Sequence, residues 1–222
     1  MLQAIFLVIV FLSLVLFYYG TGKDKKVLLF FSLWTVAIGI ASGSGFFGHN
    51  TLPPRILVVI IPAVIYTVWL YRYLRDHQLQ PGILLSVHIL RIPVELVLYR
   101  LYVLGKVPVL MTFEGWNLDI LTGSSALLLW LYLMVTRKSL GRRLFRIWNI
   151  SGLLFLGIIV GIALLSAPSP VQQLAFDRPN RALLEFPYTL LPAVVVPVVL
   201  LSHLLCLYKL REERLRSVSL KL

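Results

Sequence analysis

Apolar residues fall in long runs along this chain, separated by short polar stretches. A hydrocarbon core takes about 20 apolar residues per helix. Seven stretches of that size follow one another, at roughly 2–20, 27–47, 54–75, 82–104, 119–136, 147–167 and 184–209. The breaks between them carry turn and breaker residues: GTGKDKK after the first, Pro53 and Pro54 before the third, RDHQLQPG after the third. The pattern predicts an all-α polytopic membrane protein. Residues 1–210 form a single seven-helix transmembrane domain, and 211–222 a basic cytoplasmic tail.

Composition agrees. The chain has 222 residues, 59% hydrophobic and 14% charged, with a mean hydropathy of +0.89. A soluble domain of this length would carry far more polar surface. The first helix has no basic stretch before it and no A-x-A cleavage pattern, so it reads as a retained helix and not as a signal peptide. The single cysteine, Cys206, excludes a disulfide framework within one chain and a cysteine-based metal site.

The net charge of +12 could suggest nucleic acid, but its placement does not. With the N-terminus outside, the inner loops and tail hold Lys23, Lys25, Lys26, Arg72, Arg75, the basic run from Arg137 to Arg146, and the cations from Lys209 onward. The outer loops hold Arg55, Lys106, Arg178 and Arg181. This is the positive-inside bias of a bacterial cytoplasmic-membrane protein, N-terminus outside and C-terminus inside. The partner of the basic face is the anionic headgroup layer, not nucleic acid. A reporter inserted in the 137–146 loop should therefore read cytoplasmic, and a periplasmic reading would reverse the orientation. In this orientation the sequon Asn149-Ile150-Ser151 lies at the inner end of the sixth helix, out of reach of glycosylation.

The fourth helix contains HILRIPVELVLYR, residues 88–100. His88, Arg91, Glu95, Tyr99 and Tyr102 share one stripe at helical spacing. Charge at the bilayer centre costs at least ~2.5 kcal/mol, so Arg91 and Glu95 should face protein or water. Pro93 cannot donate to the carbonyl of Ile89, so a kink is expected there. Two readings stand: an Arg91–Glu95 pair that lines a polar cavity, or the same pair fixing helix packing. Polar residues expected above it are Glu114, Asn117 and Asp119 in FEGWNLD, the AFDRPN turn, Glu185, His49 and Asn50. Each also has a bland reading, with Asp119 capping the fifth helix and AFDRPN a simple turn. The expected ligand-binding set is Arg91, Glu95, Tyr99, Glu114, Asn117 and Asp119.

His88 and His203 lie at similar depths and could ligate a haem between helices, although such residues are more often hydrogen-bonded interior groups. No cofactor is assigned. There is no H-E-x-x-H, G-x-S-x-G, Walker A or dinucleotide fingerprint. Seven helices with an outside N-terminus resemble the rhodopsins and seven-helix receptors in topology alone. The seventh helix has no mid-membrane lysine for a retinal Schiff base, which excludes a retinal protein. GIASG (39–43) and GIIVG (157–161) are expected to let helices approach closely, within the bundle or against a second chain.

Three function classes follow. The first is a small-molecule or lipid binding or transport protein with an outward-facing polar cavity, Arg91 anchoring an anion and Glu95 serving as its partner or as a proton-titrating group. The second is a membrane enzyme acting on a lipid or headgroup through Glu95, Glu114 or Asp119. The third is an accessory subunit of a larger membrane complex.

Overall fold

A computed structural model describes residues 1–48 and 53–219, with side chains described through 212. His49 and Asn50 lie outside the described residues. Among the described residues, seven helical spans are long and apolar enough to cross a membrane. They comprise α1 (Leu2–Gly20), α2 (Lys25–Gly43), α3 (Leu57–Leu74), the pair α4 (Pro81–Val87) and α5 (Arg91–Val103), α6 (Asp119–Thr136), α7 (Arg142–Leu165) and α8 (Val196–Ser219). No strand occurs among the described residues.

The span boundaries differ from the hydropathy reading where helix chemistry overrides it. The sixth span starts at Arg142 and not near 147, because the second half of the basic run, from Arg142 to Arg146, is itself helical and begins α7. The seventh span starts later than 184. Residues 182–184 form a 3-10 turn, and a π-turn over Leu191–Val195 leads into α8.

Prolines explain the irregular spans. Pro93 leaves the carbonyl of Ile89 without its helical donor. The fourth span is accordingly interrupted by a 3-10 turn, His88–Leu90, between α4 and α5. Pro197 likewise has no N–H for the turn before it. The freed carbonyl of Ala193 accepts instead from Trp34 Nε1 at 3.0 Å and from the Tyr66 hydroxyl. A backbone irregularity at this depth is tolerated only when other groups satisfy the freed carbonyl.

The fourth and seventh spans are the bundle's centre, with 56% and 61% of their apolar windows buried against 22–33% in the others. The peripheral helices turn large apolar residues outward: Phe11 on α1, Ile40 on α2, Ile65 on α3, Leu128 on α6, Leu154 on α7. That is the face lipid would cover.

The glycine motifs do not close helix contacts in this bundle. A Cβ added at Gly43, Gly157 or Gly161 would meet nothing within 4 Å, and at Gly39 only the Phe186 ring. The close approaches occur elsewhere, at Gly123 between α6 and α5 and at Gly152 between α7 and α8.

At one end of the bundle Asp24 fastens the α1–α2 turn. Its carboxylate caps α2 by accepting from the N–H groups of Lys26 and Val27, and it also accepts from the Tyr73 hydroxyl and pairs with His77. Partial burial pushes this carboxyl up, but those hydrogen bonds and the His77 ring outweigh it, and the group lies below the usual carboxylate range.

Candidate functional site

The α5–α6 connection folds back into the bundle. Val107, Met111, Thr112 and Asn117 are all buried. Gly123 of α6 sits against Ile92 and the Arg91 side chain, so α6 begins near the level of Glu95. Eight residues of α5 continue past Glu95, about 12 Å of helix at 1.5 Å per residue. Asn117 and Asp119 therefore lie well below the end of the bundle. Lys106, which starts the connection, is held by the Arg181 and Ala182 N–H groups on its carbonyl and by Glu185 on its ammonium.

Four of the six expected residues meet in this interior. Arg91 does not pair with Glu95 one turn above it. Its Nε and Nη2 instead donate to the two oxygens of Asp119, at 3.1 and 2.7 Å. This two-pronged geometry is the strong form of an Arg–carboxylate pair. Arg91 Nη2 also approaches the Gly152 carbonyl at 3.5 Å, and Nη1 donates to His203 Nε2 at 3.2 Å. Asn117 Nδ2 lies 2.7 Å from both oxygens of Glu95 and 3.0 Å from the Met111 carbonyl, and Asn117 Oδ1 accepts from the Asp119 N–H. Asp119 is thus no helix cap. Its side chain is spent on Arg91, and the amide of Asn117 takes up its backbone donor.

Tyr99 and Glu114 stand apart. Tyr99 stacks on Phe113 at 4.9 Å, and Glu114 is exposed. AFDRPN is a turn closed by the Arg178 N–H on the Ala175 carbonyl, with the Arg178 guanidinium over the Tyr102 ring.

Two members of the cluster were not in the expected set. Asn149 Nδ2 donates to the Phe145 carbonyl at 2.7 Å, which leaves its Oδ1 to accept from His203 Nδ1 at 2.9 Å. His203 therefore carries its proton on Nδ1, and Nε2 accepts from Arg91. The signal in the sequence was Asn149 and Gly152 on one face of an otherwise apolar helix. His88 stacks on His203 with ring centroids 3.8 Å apart and meets Trp148 edge-on. Rings stacked face to face do not aim their nitrogens at one iron from opposite sides, so this pair does not fit a haem. Both ring nitrogens of His88 are buried without a hydrogen-bond partner among the described residues.

The accessible space is lateral and apolar, unlike the outward-facing polar cavity expected from the loops. A cleft of about 440 Å³ lies over α8 between α3 and α7. Val64 and Val68 of α3 and Gly157 of α7 stand at its exposed margin. Leu156, Val160, Val196 and Leu200 line its depth, and Pro192 and Pro197 of the irregular seventh span form part of its wall. Glu95 and Asp119 are the charged residues in that wall among the described residues.

A seven-span helical membrane bundle with a buried Arg–Asp–His–Asn cluster and a side-opening apolar cleft is the class this geometry defines. The chain belongs to the family described as Domain of unknown function (DUF8737), whose model matches residues 54–211. The cluster and the cleft both fall inside that range. No curated protein and no solved structure matches the chain.

Proposed function

We propose that this protein binds an amphiphilic small molecule or lipid that enters sideways from the hydrocarbon layer of a cell membrane. The observation that carries this reading is the cleft itself. Its volume lies within the roughly 300–1,000 Å³ of small-molecule sites, and its wall is mostly apolar, with Thr67 and Tyr71 of α3 as hydroxyl groups and Glu95 and Asp119 as the carboxyl groups. A hydrocarbon tail gains little by leaving lipid for such a wall. Specificity must then come from the polar end, and carboxyl oxygens accept hydrogen bonds. The ligand is a molecule with an apolar body and a donor at its tip. This reading gives Arg91 no anion-anchoring role, since Asp119 and His203 hold its guanidinium. The basic bias of the loops supports an outside N-terminus, with anionic headgroups against the 137–146 loop.

Gly157→Trp tests this. A side chain at 157 starts in open space beside the cleft, so tryptophan fills the cleft without moving backbone. Native mass spectrometry of protein extracted gently from its own membrane should show a discrete bound amphiphile on the wild type. In Gly157→Trp that adduct should fall at least about tenfold, the loss of about 1.4 kcal/mol of binding, while the protein stays monodisperse. A bare wild-type chain, or an adduct unchanged by tryptophan, would overturn the reading.

A further inference from the structure

The charge balance around the cleft narrows the ligand further, on the reading that the cleft is a binding site. Arg91 brings one positive charge, and Asp119 matches it through both oxygens. His203 accepts from Arg91 through Nε2, so its ring is neutral. The remaining carboxyl group is Glu95, 1% exposed. It is held at both oxygens by the amide of Asn117, a neutral donor. No lysine, arginine or histidine nitrogen lies within 4 Å of Glu95 among the described residues. Glu95 is among the residues that line the cleft, and Arg91 is not.

The protein therefore presents a carboxyl group without a paired cation in the wall of a hydrocarbon-lined space. An ionised carboxylate there is costly until a positive charge stands beside it, and low dielectric then makes the pair strong. We propose that the cleft selects a lipophilic ammonium. Its apolar body lies between α3 and α7, and its N–H groups donate to Glu95. A neutral alcohol of the same length can donate one hydrogen bond but supplies no charge. A fatty acid would bring a second carboxylate to the same wall and is disfavoured.

The experiment uses the purified full chain in detergent, with dodecylamine, dodecan-1-ol and dodecanoate offered at equal concentration. Bound masses are read by native mass spectrometry on wild type, Glu95→Gln and Gly157→Trp. Glutamine at 95 keeps one carbonyl oxygen for the Asn117 amide and replaces the other oxygen with an NH2 group, so one of the two contacts survives. On wild type, dodecylamine should exceed dodecanol by about tenfold or more, as a charge-assisted bond should over a neutral one. Glu95→Gln should bring the amine down to the level of the alcohol, and Gly157→Trp should remove both. Equal binding of amine and alcohol to wild type, a preference that survives Glu95→Gln, or dodecanoate as the best binder would overturn the ammonium proposal. In those cases, loss of binding in Gly157→Trp would leave the cleft reading standing. If no probe binds wild type, the cleft reading falls and the ammonium proposal with it.

Discussion

Asp119→Ala is expected to remove about 3–5 kcal/mol of stability, the cost of leaving one member of a buried ion pair alone. Arg91 is 3% exposed, and both prongs of its guanidinium are committed to Asp119. Alanine leaves the His203 ring nitrogen and the Gly152 carbonyl at 3.5 Å as its remaining contacts, and neither carries negative charge. Side-chain hydrogen bonds between membrane helices are worth only about 0.6 kcal/mol on average, because the separated helices find other partners. The larger loss expected here comes from the uncompensated charge and not from the bonds. That distinction is measurable. Equilibrium unfolding in mixed micelles should show Asp119→Ala far below wild type and the double variant Arg91→Leu/Asp119→Leu well above Asp119→Ala, since removing both charges removes the penalty. Equal losses in the single and double variants would show that Asp119 does not act through Arg91.

The seven spans were legible because each needs only an apolar run of the right length, a property of consecutive residues. The residues of the cluster were partly legible for a related reason. Arg91, Glu95, Asn117 and Asp119 stand out as polar groups in an apolar chain. Their pairing was not. Spacing of i and i+4 on one helix favours Arg91 with Glu95. The structure instead folds the 105–118 connection inward and delivers Asp119 to Arg91 from another helix. That choice depends on tertiary geometry, which no local pattern records. In the sequence Asn149 shows only as part of a sequon, yet it orients His203. The cleft was invisible for a different reason. It exists because α3 and α7 both pack on α8 while leaving space between them, and the residues lining it look like any lipid-facing surface.

Gly152→Ala is expected to destabilise the bundle, whereas Gly161→Ala on the same helix should not. Alanine is favoured over glycine inside a helix by about 0.8–1.0 kcal/mol, and a Cβ at 161 meets nothing within 4 Å, so that gain should be realised. At 152 the added carbon would fall on the imidazole of His203, closer than packed atoms allow, with Thr122 Cγ2 at 3.3 Å. The ring has little freedom to retreat. Asn149 holds Nδ1, Arg91 holds Nε2, and His88 is stacked on it. Overpacking a well-fitted core costs about 1–3 kcal/mol, which exceeds the propensity gain. Displacing the ring also withdraws an acceptor from Arg91, so the cost should be shared with the ion pair. Unfolding midpoints in one micelle composition should therefore move in opposite directions for the two variants, and Gly152→Ala combined with His203→Ala should lose less than the two single losses added together. Parity between Gly152→Ala and Gly161→Ala would mean that His203 is not wedged against α7, and the proton placement assigned to its ring would lose its geometric basis.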